Sequence, residues 1–259
     1  MASATTSNDN PQILPTINLL CMLPEPKTAF LTAVDKHFPT LGHHTTIEIH
    51  ESSLKALPQD LTFTAVVSPA NSYARLDGAF DDALARAYGP KDDYAWITRK
   101  AQSIVYEKWK GFAPPGSCTI VDLTTGTDGI AREDQPWRTR YLLLSPTMRV
   151  PQAVTWDREV CYECIWSLLN AIYNHNRDAR DEGEKIHSLL MTPLATGAGG
   201  VSNKRWAEQT VLAMKHFVES VQDPETWSRL QWGKALEDFR EVEGTYSKGS
   251  VSTSERMSE

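Results

Sequence analysis

Two stretches of the chain bring together residue types that can do chemistry on a sugar or a phosphate. In the first, Asn71 follows the apolar run Thr64 to Val67, and Asp81 stands one helical turn into the stretch after it. An amide and a carboxylate at one strand end can hold sugar hydroxyls and orient a water. The same residues also admit a purely local role, with Asp77 as a helix N-cap and Asp81 and Asp82 favouring a helix N-terminus. The second stretch, Thr196-Gly197-Ala198-Gly199-Gly200-Val201, follows the run Ser188 to Met191 and precedes a helical pattern. Its glycines let backbone N–H groups approach a ligand with no Cβ in the way, which suits a diphosphate. A flexible turn is the competing account, because the Lys-Ser/Thr of a P-loop is missing.

Other reactive groups lead elsewhere. Cys161 and Cys164 have CxxC spacing but fall within the helical pattern of Val160, Ile165, Leu168, Leu169 and Ile172, which reads as core packing. No second cysteine pair and no HExxH motif accompany them, and no metal is expected at Asp77, Asp81 and Asp82, which the helix dipole explains equally well. Four cysteines are too few for a disulfide scaffold in 259 residues, so reduced thiols are expected. The 26 basic and 33 acidic residues leave a net charge of −7, which disfavours duplex nucleic acid. The eight tryptophans are scattered and read as packing, and Arg149 as a solvent-exposed side chain.

What must position the two loops is an alternation of short apolar runs with helical stretches. The runs are 17–23, 45–49, 64–67, 119–121, 141–144 and 188–191, and the helical stretches are 26–38, 78–88, 92–110, 157–175, 203–220 and 224–241. That order predicts a layered α/β fold with a mostly parallel sheet, whose ligands bind beyond the carboxyl ends of its strands. Residues 1–12 and 244–259 read as frayed tails around a single domain, 13–243, with a helical extension from about 222. The start of the chain lacks the basic segment of a signal peptide, and no apolar run reaches the length of a membrane span. A monomer in the cytoplasm or nucleus, without a membrane, is the expectation.

Taken together, the two loops resemble those of the macrodomain family over approximately residues 15–220. The family form VNAANSxLxGGGGVxGAI is matched without gaps by Val66-Val67-Ser68-Pro69-Ala70-Asn71-Ser72 through Asp77-Gly78-Ala79-Phe80-Asp81-Asp82-Ala83-Leu84. The family's Ser-Thr-Gly-x-x-Gly loop is matched by Ala195-Thr196-Gly197-Ala198-Gly199-Gly200. The resemblance implies a three-layer α/β/α fold with a mixed, mostly parallel sheet and ADP-ribose, free or on a mono-ADP-ribosylated protein, as ligand, with no cofactor. It also implies roles. Asn71 would bind the distal ribose, and Asp81 falls where the hydrolytic MacroD-like branch has its catalytic Asp. The stretch Gly197 to Val201, with Thr196, would cradle the diphosphate, while Ala70 and Asp77-Gly78-Ala79-Phe80 would close over the ligand from the other side. Glu51 would accept a hydrogen bond from the adenine amino group.

The sequence departs from the family in three places. Leu76-Asp77-Gly78-Ala79 replaces four glycines, Gly199 replaces an aromatic that often packs on the distal ribose, and residues 222–243 look helical where many members end in a strand. Three activities therefore stay open: release of mono-ADP-ribose from proteins, dephosphorylation of ADP-ribose 1″-phosphate, and binding of ADP-ribose or another nucleotide without turnover.

Overall fold

The computed structural model describes residues 13–246. Six strands form one sheet: β1 (Thr16–Cys21), β2 (Ile47–Glu51), β3 (Ala65–Ser68), β4 (Thr119–Asp122), β5 (Tyr141–Leu144) and β6 (Ser188–Met191). Their spatial order is β2-β1-β6-β3-β5-β4. All neighbouring pairs are parallel except β4 with β5, so the sheet is mixed and mostly parallel.

Alternation along the strands decides the layers. Ile17, Leu19, Ala65, Val67, Leu143, Leu189 and Met191 face one core, while Leu20, Val66, Leu142, Leu144 and Leu190 face the other. The first core is closed by α1 (Pro24–His37), α4 (Val160–Asp178) and α5 (Asn203–Gln222), the second by α2 (Ala79–Ala87) and α3 (Trp96–Trp109). With both faces covered, the central strands β3, β5 and β6 are almost continuously apolar, as buried parallel strands require. The three-layer α/β/α architecture expected from the sequence is the one observed.

The C-terminal extension corrects one expectation. The single helix expected over 224–241 is two, α6 (Pro224–Trp227) and α7 (Trp232–Glu243). The Asp223 carboxylate caps α6 by accepting from the Thr226 N–H at 3.1 Å, and Trp227 stacks on Trp166 of α4 with ring centroids 5.7 Å apart. Those contacts fix the first turn, and the chain bends before α7 lies along α5. There the buried His216 takes part in hydrogen bonds with Tyr162 Oη at 3.1 Å and Glu241 Oε2 at 2.9 Å. The expected tail at 244 begins within the described residues and is packed there. Gln209 donates to Thr245 Oγ1 at 3.0 Å, and the Tyr246 hydroxyl donates to Glu159 at 2.7 Å. The expected tail 1–12 and the remainder of the second lie outside the described residues.

Candidate functional site

A cavity of about 490 Å³ opens at the carboxyl ends of β1, β6, β3 and β5, a volume within the usual range for ligand sites. The loop after β3 supplies Asn71. Its Oδ1 accepts from the backbone N–H groups of Tyr73 and Arg75 at 3.1 and 3.3 Å, and its Nδ2 donates to Arg75 O at 2.8 Å. This Asx-type turn fixes the side chain and leaves one amide hydrogen for a ligand. The loop after β5 is zipped to it: Thr147 N–H donates to Ala70 O at 3.1 Å, Ser72 N–H donates to Met148 O at 3.0 Å, and Asn71 and Met148 form an isolated parallel bridge.

Asp81 lies in the first turn of α2, lines the cavity, and is only 7% exposed. Burial pushes its carboxyl up to about 7, the Ser68 hydroxyl opposes this by donating at 2.7 Å, and the Asp77 carboxylate adds to it. The neighbouring acids are otherwise engaged. Asp77 pairs with Arg75 rather than capping α2, whose N-cap is Gly78. Asp82 turns outward to accept from Arg86 at 2.8 Å and from the Tyr94 hydroxyl at 2.6 Å. The local explanation of the three acids therefore holds for Asp82 and fails for Asp81, a buried carboxyl facing a cavity.

Across the opening runs the loop after β6. Gly200 N–H donates to Gly197 O at 3.0 Å, Val201 N–H to Ala195 O at 3.1 Å, and Val154 N–H to Gly199 O at 2.9 Å. The N–H groups of Gly197, Ala198 and Gly199 make no backbone hydrogen bond among the described residues. Their residues line the cavity, and backbone donors without a protein partner at such a place are of the kind that holds an oxyanion. Gly199 is required by packing, since a Cβ there would lie 2.4 Å from Ala195 O; no side chain fits at this position. Ala79 and Ala195, one on each side of the opening, hold left-handed backbone at φ +50° and +59°. Strain of this sort collects at ligand sites.

Of the residues expected from the sequence, Asn71, Asp77, Gly78, Ala79, Phe80, Asp81 and Thr196 through Gly199 line the cavity. Ala70, Gly200 and Val201 stand behind it, holding the loops by backbone hydrogen bonds or packing. Glu51 stands apart: it ends β2 beside Cys21 and pairs with Lys27 outside the lining. Sequence reasoning missed the wall formed by Leu20, Met22, Leu23 and Pro26, and it missed Thr147, whose buried hydroxyl has no hydrogen-bond partner. The wall's only signal was an apolar run continuing past the strand.

Outside the cavity, burial pushes the Cys161 thiol up to about 12, consistent with packing rather than reactivity. Arg149 is engaged at the surface, with its guanidinium over Phe112 at 5.3 Å and Nε donating to the Tyr73 hydroxyl at 3.0 Å. His216, Glu219 and Asp238 have the proximity of metal ligands. Lys234 Nζ already supplies positive charge there, 3.1 Å from Glu219 and 2.8 Å from Asp238.

A family model described as a macro-like domain matches residues 30–221. The chain belongs to the macro-like domain family. Among solved structures, this macro-like domain is similar to the macrodomain of Oceanobacillus iheyensis. The structure of that protein with ADP shows 16% identity and a TM-score of 0.41, covering 60% of this chain and 71% of that one. A variant of the same protein with ADPR gives 15% and 0.41, over 59% and 70%. Its structure with MES bound gives 16% and 0.41, over 61% and 72%.

Proposed function

We propose that the cavity binds ADP-ribose and hydrolyses ADP-ribose derivatives at the distal ribose, releasing mono-ADP-ribose from proteins or phosphate from ADP-ribose 1″-phosphate. The observation that carries this reading is the joint placement of Asn71 and Asp81 at one end of the cavity, with the free N–H groups of Gly197 to Gly199 beside them. The remaining Asn71 amide hydrogen fixes a ribose hydroxyl, and the loop donors hold the diphosphate. Asp81, titrating near 7, is divided between its two forms at neutral pH, as suits a group that accepts a proton from an attacking water. Water adds to the ribose C1″, Asp81 takes its proton, and the bond to the carboxylate or phosphate leaving group breaks. Such a protein acts alone, as a monomer, in the cytoplasm or nucleus, and among the described residues no helix is long and apolar enough to cross a membrane.

Calorimetric titration with ADP-ribose tests the first step: the wild-type protein binds and Asn71→Ala binds more weakly. The second is tested by release of ADP-ribose from a modified protein, and of phosphate from ADP-ribose 1″-phosphate. Asp81→Ala lowers turnover by about 10²-fold or more. Tight binding with no turnover of either substrate identifies a non-catalytic reader of ADP-ribose. Absence of binding overturns the reading as a whole.

A further inference from the structure

A second cavity, of about 430 Å³, lies where the C-terminal extension meets α4. Helix α4 supplies Tyr162, Glu163 and Trp166 to its lining, and the extension supplies Trp227, Leu230 and Asp238. The rings pack in a row, with Trp166 stacked on Tyr162 at 6.1 Å between centroids and on Trp227 at 5.7 Å. These walls already accept a cation. Lys234 Nζ stands 5.8 Å from the Trp227 ring centroid and pairs with Asp238 at 2.8 Å, so one carboxylate of the lining is engaged.

The other is not. Among the described residues, no donor and no cation engages the Glu163 carboxylate. It lies over Gly116, whose left-handed backbone at φ +81° leaves it room; a Cβ there would come within 2.8 Å of Glu163 Oε2. Partial desolvation raises this carboxyl above its ordinary value, and the Asp157 and Glu159 carboxylates raise it further. No basic side chain lines the cavity, so an anion is disfavoured and a cation would match the acid that the fold leaves unpaired. Apolar side chains stand uncovered around it. Leu230, at the cavity, and Leu236 and Phe239, beside its lining residues on α7, are exposed, and Trp232 is 80% exposed. Apolar surface of that extent around one carboxylate suits a polypeptide rather than a free amine.

We propose that this cavity receives an arginine side chain of another protein, its guanidinium paired with Glu163 and stacked on the aromatic lining, and that apolar residues flanking the arginine cover Leu230 and Trp232. Arginine fits better than lysine, because its planar fork reaches both carboxylate oxygens, lies flat on a ring and is more weakly hydrated. Docking of this kind leaves the chemistry of the first cavity to this chain alone, and the inference does not depend on what that cavity binds.

The probe is a library of amidated heptapeptides whose central residue is arginine in one pool and citrulline, lysine or glutamate in the others, with apolar residues varied around it. Citrulline keeps the shape of arginine and loses its charge. In about 0.15 M salt, which screens the net charge of −7, the wild-type protein is expected to retain the arginine pool about tenfold or more over the citrulline pool. Glu163→Gln keeps the side-chain shape and brings the two retentions together, whereas Trp232→Ser/Leu236→Ser weakens every pool and leaves their ratio unchanged. All three side chains are exposed, so an unchanged melting temperature identifies variants that keep the fold. Equal retention of the arginine and citrulline pools by the wild-type protein overturns the proposal. An arginine preference that survives Glu163→Gln also overturns it, because the arginine then binds elsewhere. Lysine retained as well as arginine removes the planar guanidinium from the argument and with it the choice of partner. If propylguanidinium alone binds as tightly in calorimetry as the best arginine peptide, the cavity is a receptor for a small free cation and the docking of a protein is overturned.

Discussion

Asp81 costs the folded protein stability in proportion to its ionisation. Its carboxyl is pushed up to about 7 in the fold, against about 3.9 in an unfolded chain. Between those values the native state holds a proton that the unfolded state has released, so this contribution to stability is fully present below about pH 4 and is lost as the pH rises through about 7. Asparagine keeps the shape and still accepts from Ser68. Asp81→Asn is therefore expected to match the wild-type protein at about pH 3.5 and to exceed it at pH 8 by on the order of 4 kcal/mol in urea melts. Under the proposed hydrolysis, turnover is expected to move the other way, being abolished by the same change and, in the wild-type protein, rising with pH through about 7 as the basic form fills. A variant that gains stability while losing turnover marks a group kept for chemistry.

The secondary-structure elements were readable wherever local pattern decides them, and not where a distant contact does. Each strand carries a short apolar or alternating pattern, so all six were found, with ends displaced by a residue or two. The break between α6 and α7 escaped because it depends on Trp227 meeting Trp166, which lies far away in sequence. In the site, Asn71 and Asp81 share one loop and helix start, so their spacing carries over directly into space. Met22 and Leu23 were hidden inside the run 17–23, where nothing local distinguishes a buried strand residue from an exposed one beyond its end. Glu51 took its expected role from the resemblance alone, and its pairing with Lys27 joins two elements that local pattern does not connect. Helix α7 also has its own expected weakness: His216→Leu leaves the Tyr162 hydroxyl and the Glu241 carboxylate without the ring that joins them. Urea melts should show a loss of about 1–3 kcal/mol, and proteolysis should cut sooner in the 228–231 turn, with ADP-ribose affinity unchanged.

Across the whole molecule, a net charge of −7 would face the anionic ligand proposed. The cavity mouth changes this little, because Arg75 is paired with Asp77. Association with ADP-ribose should therefore be as fast or faster at about 0.15 M salt than at about 0.01 M, as the screening length falls from about 30 Å to about 8 Å. Stopped-flow rates that fall with salt would reveal a steering positive field instead. A nucleic-acid binder shows the opposite dependence.

The bridge between Asn71 and Met148, with the paired backbone on either side of it, carries the β3–β5 ladder past the formal strand ends and under the cavity. On the proposed reading, the distal ribose meets a floor that is already woven before the ligand arrives. Little ordering entropy then opposes binding at that end, and the geometry around the reacting carbon is inherited from the sheet rather than assembled on each encounter.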